Sequence, residues 1–296
     1  MGYLNSKSKI KIQNSKINVL APAKINIGLI IKEKLASGYH TIETILVPIN
    51  LFDTIIIKRT SNGFKFTTDS IKYLPLGRNN LVVKAAKLFF QKAKIKPCVD
   101  IYLKKRIPIG AGLGGGSSDA GAVLVGLNQL FQNPLSAQTL YRVACQIGMD
   151  VPFFLYRTPC YATGRGEILK PIKIPEFNVA LYIPNYFIST PWAYKKIDEM
   201  GLTESNFSLK ILSKKLSQKN WQEISKYTVN TFERVLFPKY SDLLVMKTRL
   251  LFCGAKVVSL TGTGSAIYGL VEDEDIDIFR ANAKKYNLRL YFTKTL

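Results

Sequence analysis

Histidine occurs once in the 296 residues, at position 40. That scarcity excludes a multi-histidine metal centre and leaves very little for a Ser-His-Asp hydrolase design. Cysteine is thin as well: Cys98, Cys145, Cys160 and Cys253 are far apart and form no C-x-x-C pair. Neither a zinc ribbon nor a disulfide framework is expected, and the thiols read as reduced and packed. No apolar run approaches the roughly eighteen residues that a membrane span requires. The lysine-rich opening, 1–16, has no apolar stretch of a secretory signal. The expectation is a cytoplasmic protein with no membrane partner. No Gly-Lys pair occurs anywhere, which removes the Walker phosphate loop. Acidic residues are few beside basic ones, 20 against 42, for a formal charge of +22. The lysines are scattered singly rather than interleaved with aromatics on one element. The charge is therefore read as a field that speeds encounter with anionic ligands, and nucleic acid is not an expected partner. What remains for chemistry is Lys, Asp, Ser and the backbone.

Hydrophobic residues make up 47% of the chain, enough for ordinary globular cores. The length suits two domains, expected over 1–157 and 158–296, with 1–17 as a mobile tail or an extra edge strand. Glycine is concentrated between Pro108 and Asp119, where Gly110, Gly112, Gly114, Gly115 and Gly116 fall within seven residues around Ala111 and Leu113, just before Ser117 and Ser118. Residues 99–103 alternate like a strand, and Ala120, Val123, Leu124, Leu127 and Leu130 recur at helical spacing. The glycines thus join a strand to a helix that Ser117 or Ser118 can cap, with the turn's amides converging on an anion. Gly110-x-Gly112-x-x-Gly115 also fits a dinucleotide fingerprint, but no acidic residue follows between Asp119 and Asp150 to hold a ribose. A polyphosphate cradle is the reading that survives.

Elsewhere, Lys24 and Asn26 lie two apart on a strand and point to one face; on pattern alone that face also suits a solvated edge. Tyr39 and His40 open another strand. Asn80 can cap a helix through residues 81–89, and a helix is expected from Ser136 to Ile147, stopped by Gly148. Asp150 follows, set against Val151, Pro152, Phe153 and Phe154, either as a carboxylate beside an apolar wall or as a brace for a turn. After residue 158 strands and helices alternate, with helices expected after Thr190, between Lys219 and Leu236, and from Leu243 to Phe252. A second short glycine turn, Thr261-Gly262-Thr263-Gly264, follows a strand.

Pro22-Ala23-Lys24-Ile25-Asn26 with Gly38-Tyr39-His40, then Pro108 to Asp119, then Thr261 to Ala266 together resemble the GHMP small-molecule kinases. The resemblance implies an α+β, two-domain fold: an amino-terminal domain like ribosomal protein S5 and a ferredoxin-like carboxy-terminal one, with the active site in the cleft between them. It further implies that ATP, with Mg²⁺, lies on Pro108, Gly110 and the amides from Gly112 to Ser118, with Asn80 near the adenosine. Lys24 and Asp150 would act on the acceptor hydroxyl. Asn26, Tyr39, His40, Tyr194, Thr261, Gly262 and Gly264 would hold a small-molecule acceptor, with Tyr39 and Tyr194 sandwiching its base. The Gly-Tyr-His block points, within the family, to an acceptor carrying cytidine diphosphate on a methylerythritol, in the non-mevalonate isoprenoid route. No metal ligand is certain, and monomer and homodimer stay open. Two rival readings also stay open: a GHMP kinase of mevalonate or homoserine type, and a basic RNA-binding module on an S5-like fold.

Overall fold

The computed structural model describes residues 11–13, 15–70, 74, 77, 79–204 and 208–296; the lysine-rich opening as far as residue 10 lies outside them. The chain divides into two compact units. One takes residues up to Ala23, Leu51–Ile109 and Gly114–Arg157, the other Lys24–Asn50, Gly110–Leu113 and Thr158–Leu296. The chain passes between them several times because two long strands, β2 (Lys16–Lys34) and β3 (His40–Arg59), each contribute to both. A short β1 (Lys11–Gln13) pairs antiparallel with the start of β2, giving that part of the opening an edge-strand role.

In the first unit, β4 (Gly63–Thr68), α1 (Leu81–Ala93) and β5 (Cys98–Lys104) form a strand-helix-strand unit whose two strands pair in parallel. β5 also pairs antiparallel with the end of β3, from Thr54↔Lys104 to Arg59↔Val99. Val99, Ile101 and Leu103 of β5 are buried while their neighbours face out, the alternation of a sheet covered on one side. The cover is helical: α1, α2 (Gly115–Leu130) and α3 (Ala137–Ile147) bury Val82, Phe89, Val123, Leu127, Leu140 and Val143 with Ile55, Ile57, Val99 and Ile101 in one core. α2 is buried on nearly every side, which small residues permit. At Gly126 an added Cβ would come within 2.8 Å of Ile57 Cδ1 and 2.9 Å of Val19 Cγ2. The glycine costs about 1 kcal/mol of helix propensity and lets the helix seat on the sheet. A single turn, α4 (Phe153–Tyr156), completes the unit.

In the second unit, β6 (Cys160–Thr163) pairs with the start of β3 and with β7 (Ile168–Pro171). A separate antiparallel sheet holds β8 (Asn178–Tyr182), β9 (Val257–Leu260), β10 (Ile267–Val271) and β11 (Tyr291–Lys294) in the order β11-β8-β10-β9. With helices between β8 and β9 and α10 (Ile276–Lys285) before β11, this is the strand order of a ferredoxin-like β-α-β-β-α-β unit. The first helical segment is expanded to α5 (Thr190–Met200), α6 (Lys210–Ser217), α7 (Trp221–Tyr227), α8 (Glu233–Lys239) and α9 (Ser241–Phe252). The helical stretch expected between Lys219 and Leu236 holds α7 and the start of α8, with a break between them. The break has a cause: Leu29 N–H donates to Val229 O at 2.7 Å and Thr231 N–H donates to Leu29 O at 2.9 Å. That stretch is spent on bridging to β2 instead of continuing a helix.

Among the described residues no helix is long and apolar enough to cross a membrane.

Candidate active site

Strand periodicity places Lys24 and Asn26 on one face of β2, and both are buried, at 3% exposure each. The Lys24 ammonium donates to Asn26 Oδ1 through a short hydrogen bond. Asn26 Nδ2 donates to Thr44 Oγ1 at 3.0 Å, and Thr44 Oγ1 donates to Gly28 O at 2.6 Å. Every member of this relay has a consistent direction, so each bond polarises the next, and the low-dielectric surroundings strengthen all of them. The relay is tied to the second glycine turn: Asn26 N–H donates to Thr261 Oγ1 at 3.1 Å, and the Thr261 hydroxyl faces Gly112 O at 3.2 Å.

The two glycine segments meet here. Gly112 has φ +77°, and a Cβ on it would collide with the Thr261 carbonyl oxygen. Only glycine satisfies both conditions. A Cβ on Gly262 would come 3.1 Å from Lys24 Nζ and 3.2 Å from Gly112 O. Lys24 N–H donates to Leu113 O at 3.0 Å, and Ala266 N–H to Ala111 O at 3.1 Å. The second turn is braced from behind by Asn230, 1% exposed, whose Nδ2 donates to Leu260 O and Gly262 O, both at 3.0 Å. The second unit thereby brings Lys24, Asn26, Gly112, Thr261 and Gly262 together.

It also gathers His40 and Tyr194, whose rings stack at 5.1 Å. His40 Nε2 lies 2.6 Å from Asp198 Oδ1. Tyr39 is exposed, with the Arg165 guanidinium 5.3 Å from its ring centre. Gly264 has φ +78°.

The first unit holds the remainder. The head of α2 corrects the expected cap: neither Ser117 nor Ser118 occupies that position. Gly114, at φ +70°, is the N-cap and offers no side-chain acceptor. Ser118 lies inside the helix, its N–H donating to Gly114 O at 2.9 Å. The left-handed turn only glycine makes readily has moved the start of the helix forward. As a result the N–H groups of Gly115, Gly116 and Ser117 have no intrahelical carbonyl, and the first turn has no acidic residue to meet them. Such an end of a 16-residue helix suits an anion. The start of α1 lies alongside: Asn80 caps it by accepting from Val82 N–H at 2.8 Å, and a Cβ on Gly116 would stand 3.6 Å from Leu81 Cδ1.

Asp150 is half-buried on the turn after α3, whose stop residue Gly148 is extended rather than left-handed. Val151, Phe153 and Phe154 anchor that turn in the core. Phe154 Cβ would lie 2.9 Å from a Cβ on Gly121 of α2, so the Asp150 turn packs one helical turn behind the glycine run.

Beneath α2 lies a group with no local signature along the chain. The Lys105 ammonium bonds to Asp53 Oδ2 and, at 2.8 Å, to Asp119 Oδ2, and all three side chains are buried. Asp53 Oδ1 accepts Arg106 N–H at 2.5 Å and Ile107 N–H at 2.8 Å. Burial works against the charge on Lys105, but Asp119 and Asp53 outweigh it and raise its pKa. A Cβ on Gly115 would be 2.8 Å from Lys105 Nζ, so the triad supports the first residue of the helix. In sequence nothing links Lys105 to Asp53, which is 52 residues away. Asn230 and Asp198 were equally invisible.

A 4-diphosphocytidyl-2-C-methyl-D-erythritol kinase from Methylacidiphilum infernorum (isolate V4) is 39% identical over 267 residues, 89% of this chain and 89% of its own. The chain belongs to the 4-diphosphocytidyl-2-C-methyl-D-erythritol kinase family. Residues 80–158 match the GHMP kinases N terminal domain. A crystal structure of 4-(cytidine 5'-diphospho)-2C-methyl-D-erythritol kinase is 32% identical and superposes with a TM-score of 0.79, covering 94% of this chain and 98% of its own. Homoserine kinase from Cytophaga hutchinsonii, at 17% identity and TM-score 0.73 over 97% and 96% of the two chains, shares the fold. The chain is therefore a phosphotransferase on the GHMP kinase fold.

Proposed function

We propose that the chain transfers the terminal phosphoryl group of ATP to the 2-hydroxyl of 4-(cytidine 5'-diphospho)-2-C-methyl-D-erythritol, a step of the non-mevalonate route to isoprenoid precursors. The observation that carries this reading is the buried relay from Lys24 through Asn26 to Thr44, hung on the Thr261–Gly112 contact, in a chain of that kinase family.

Phosphoryl transfer passes through a loose transition state, so the protein's task is to align donor and acceptor and to offset charge. The first-turn amides of α2 bind phosphate oxygens, and Asn80 lies beside the adenosine. Lys24, held in place by Asn26, offsets negative charge that builds on the transferring group. Asp150 orients the acceptor hydroxyl and takes its proton late, after the bond to the leaving group has largely broken. Asn26, Tyr39, His40 and Tyr194 hold the cytidine diphosphate portion. His40 and Thr44 occupy the same face of β3, four residues or roughly 13 Å apart, a reach that a diphosphate linking a polyol to a nucleoside spans. Mg²⁺ fits the oxygens present. Ser118 Oγ and Asp119 Oδ1 are buried at the head of α2 without a hydrogen-bond partner, and hard oxygens are what the ion requires. Ser118, or Ser117 beside it, would hold the ion, which when bound neutralises phosphate charge. Residence in the cytoplasm belongs to the same proposal.

The test is a coupled kinase assay with ATP and the cytidylyl acceptor, with mevalonate and homoserine alongside. Lys24→Ala and Asp150→Asn are each expected to lower kcat by about a thousandfold, roughly 4 kcal/mol of barrier, with nucleotide binding changed only a few-fold. Near-normal turnover in both variants rejects the assignment.

A further inference from the structure

α9 is apolar on both of its sides. Leu243, Met246 and Leu250 point inward, into the core of the second unit with Val258, Leu260 and Ile267. At about 100° per residue, Leu244, Val245, Thr248, Leu251 and Phe252 fall on the opposite face. All five are exposed, Phe252 at 71%. That outer face carries one hydroxyl and no charge. Single exposed leucines need no explanation, but a helix apolar all round belongs in an interior, and a contiguous apolar face marks a contact. α10 extends the patch. Asn282 Nδ2 donates to Cys253 O at 3.2 Å, which ties α10 to the end of α9, and the Phe252 and Tyr286 rings meet edge-on at 5.5 Å. Exposed Ile278 shares a stripe with Asn282 and Lys285 at spacings of four and three.

The charge around this face has one sign. No Asp or Glu occurs from Leu243 to Val271, nor after Asp277. The cations of those stretches divide into two sets. Lys247, Lys256, Arg280 and Lys294 pair with Glu233, Asp275, Asp277 and Glu176. Arg249, Lys284, Lys285 and Arg289 are exposed and have no acidic partner among the described residues. Arg249 lies in the last turn of α9, and Lys284 and Lys285 in the last turn of α10, the ends where Phe252 and Tyr286 meet. Asp242 and Asp277 stand in the first turns, at the other ends, and are engaged by the Tyr186 hydroxyl at 2.7 Å and by Arg280 at 3.8 Å. The helix dipole accounts for cations in a last turn. It does not account for the apolar residues beside them.

We infer that the outer face of α9, with the end of α10, docks on an anionic lipid surface. Leu244, Val245, Leu251 and Phe252 enter the boundary of the acyl chains, while Arg249, Lys284, Lys285 and Arg289 meet the headgroups. An apolar helix face bordered by unpaired cations is the arrangement that lies in a membrane interface. A second copy of the chain is the poorer occupant: two chains of formal charge +22 repel, and no acidic cluster on this face answers the cations. Single-stranded nucleic acid has the right charge but takes flat rings to stack on, and the residues here are mostly aliphatic. The expectation of no membrane partner came from the missing span, and a helix lying on a surface needs none. The docking face is independent of the proposed kinase reaction.

The test is flotation of the full chain with vesicles of phosphatidylcholine, alone or with a third of the lipid replaced by phosphatidylserine. The anionic vesicles should bind about tenfold tighter or better, and the difference should shrink as salt rises. Lys284→Gln with Lys285→Gln should lower that affinity about twentyfold, roughly fivefold for each charge. Leu251→Ser with Phe252→Ser removes no charge and should lower it about tenfold. These positions are exposed, so both pairs should keep the parent's melting temperature and turnover. Lys87→Gln with Lys92→Gln, two exposed cations of α1, removes the same charge elsewhere and should leave affinity within about twofold. Equal binding to the two vesicle types, binding to neither, an equal loss in the α1 pair, or parental binding by the serine pair overturns the inference. So does an RNA oligonucleotide that displaces the protein from vesicles and is itself lost in the serine pair, or a dimer in sedimentation that the serine pair dissolves.

Discussion

Two glycine-rich turns in this chain use glycine for opposite reasons. In the second, Gly262 and Gly264 adopt positive φ, and the space around them is already taken by protein: Lys24, Gly112, Leu236 and Ile188 all lie within 3.4 Å of where a Cβ would be. Its carbonyls are spoken for by Asn230. In the first, Gly112 belongs to the same crowded contact, but a few residues on Gly116 is exposed, with nothing nearer than Leu81 Cδ1 at 3.6 Å, and the amides of the helix it opens have no intrahelical partner. Glycine density thus marks close approach in both places. In one the approaching group is backbone of the same chain, and in the other the space is left for something that is not protein.

The comparison can be broken by substitution. Gly112→Ala should have the largest effect. The Cβ meets the Thr261 carbonyl, the φ of +77° is strained for any other residue, and the shift reaches Lys24 through Leu113. Displacement of about 1 Å near reacting groups costs on the order of a hundredfold, and kcat/KM for both substrates should fall by at least that. Asn230→Ala comes next and tests the brace. It leaves the Leu260 and Gly262 carbonyls and the Phe232 N–H buried without their partner, a loss of about 2–3 kcal/mol, read from the denaturant midpoint. A wild-type midpoint would mean that the second turn is held by something other than Asn230.

Local pattern carried much of this architecture. The alternation of β5, the Asn80 cap, the inward faces of α1 and α3 and the shared face of Lys24 and Asn26 are decided within a few residues and could be read from them. What could not be read depends on pairings across the chain. Ser117 and Ser118 were good capping residues displaced by a Gly114 whose conformation is set by the turn before it. The helix broken at 228–232 yields to a bridge with Leu29, two hundred residues earlier. The Lys105 triad and the Asp198 contact join positions whose separation, 52 and 158 residues, leaves no periodic trace.

Gly116→Ala sharpens the contrast from the other side. Nothing in the fold resists the added methyl, and alanine is favoured over glycine in a helix by up to about 1 kcal/mol, so the melting temperature should hold or rise. If the open end of α2 receives phosphate, the same methyl crowds the ligand, and KM for ATP should rise about tenfold, near 1.4 kcal/mol, with kcat little changed. Unchanged KM would place the nucleotide elsewhere.

The smallest effect concerns the triad under that helix. Burial, reinforced by the Asp53 charge and opposed by Lys105, pushes the Asp119 carboxyl up to about 8. A carboxyl that binds its proton more tightly in the folded than in the unfolded chain favours folding at low pH. That contribution is complete below the unfolded pKa of 3.8 and is lost as pH rises through the folded value. Lys105, whose pKa is raised, stays charged throughout this window and limits the loss. The parent should therefore lose stability between pH 5 and 8 relative to Asp119→Asn, whose amide keeps the shape and does not titrate, and denaturant midpoints across that range compare the two. Parallel profiles would mean that Asp119 is ionised at every pH tested, leaving Lys105 between two carboxylates and the head of α2 above a net negative group. A net negative group there would lessen the pull of the helix end on phosphate, so the pH series also asks how strongly the open glycine run can attract an anion.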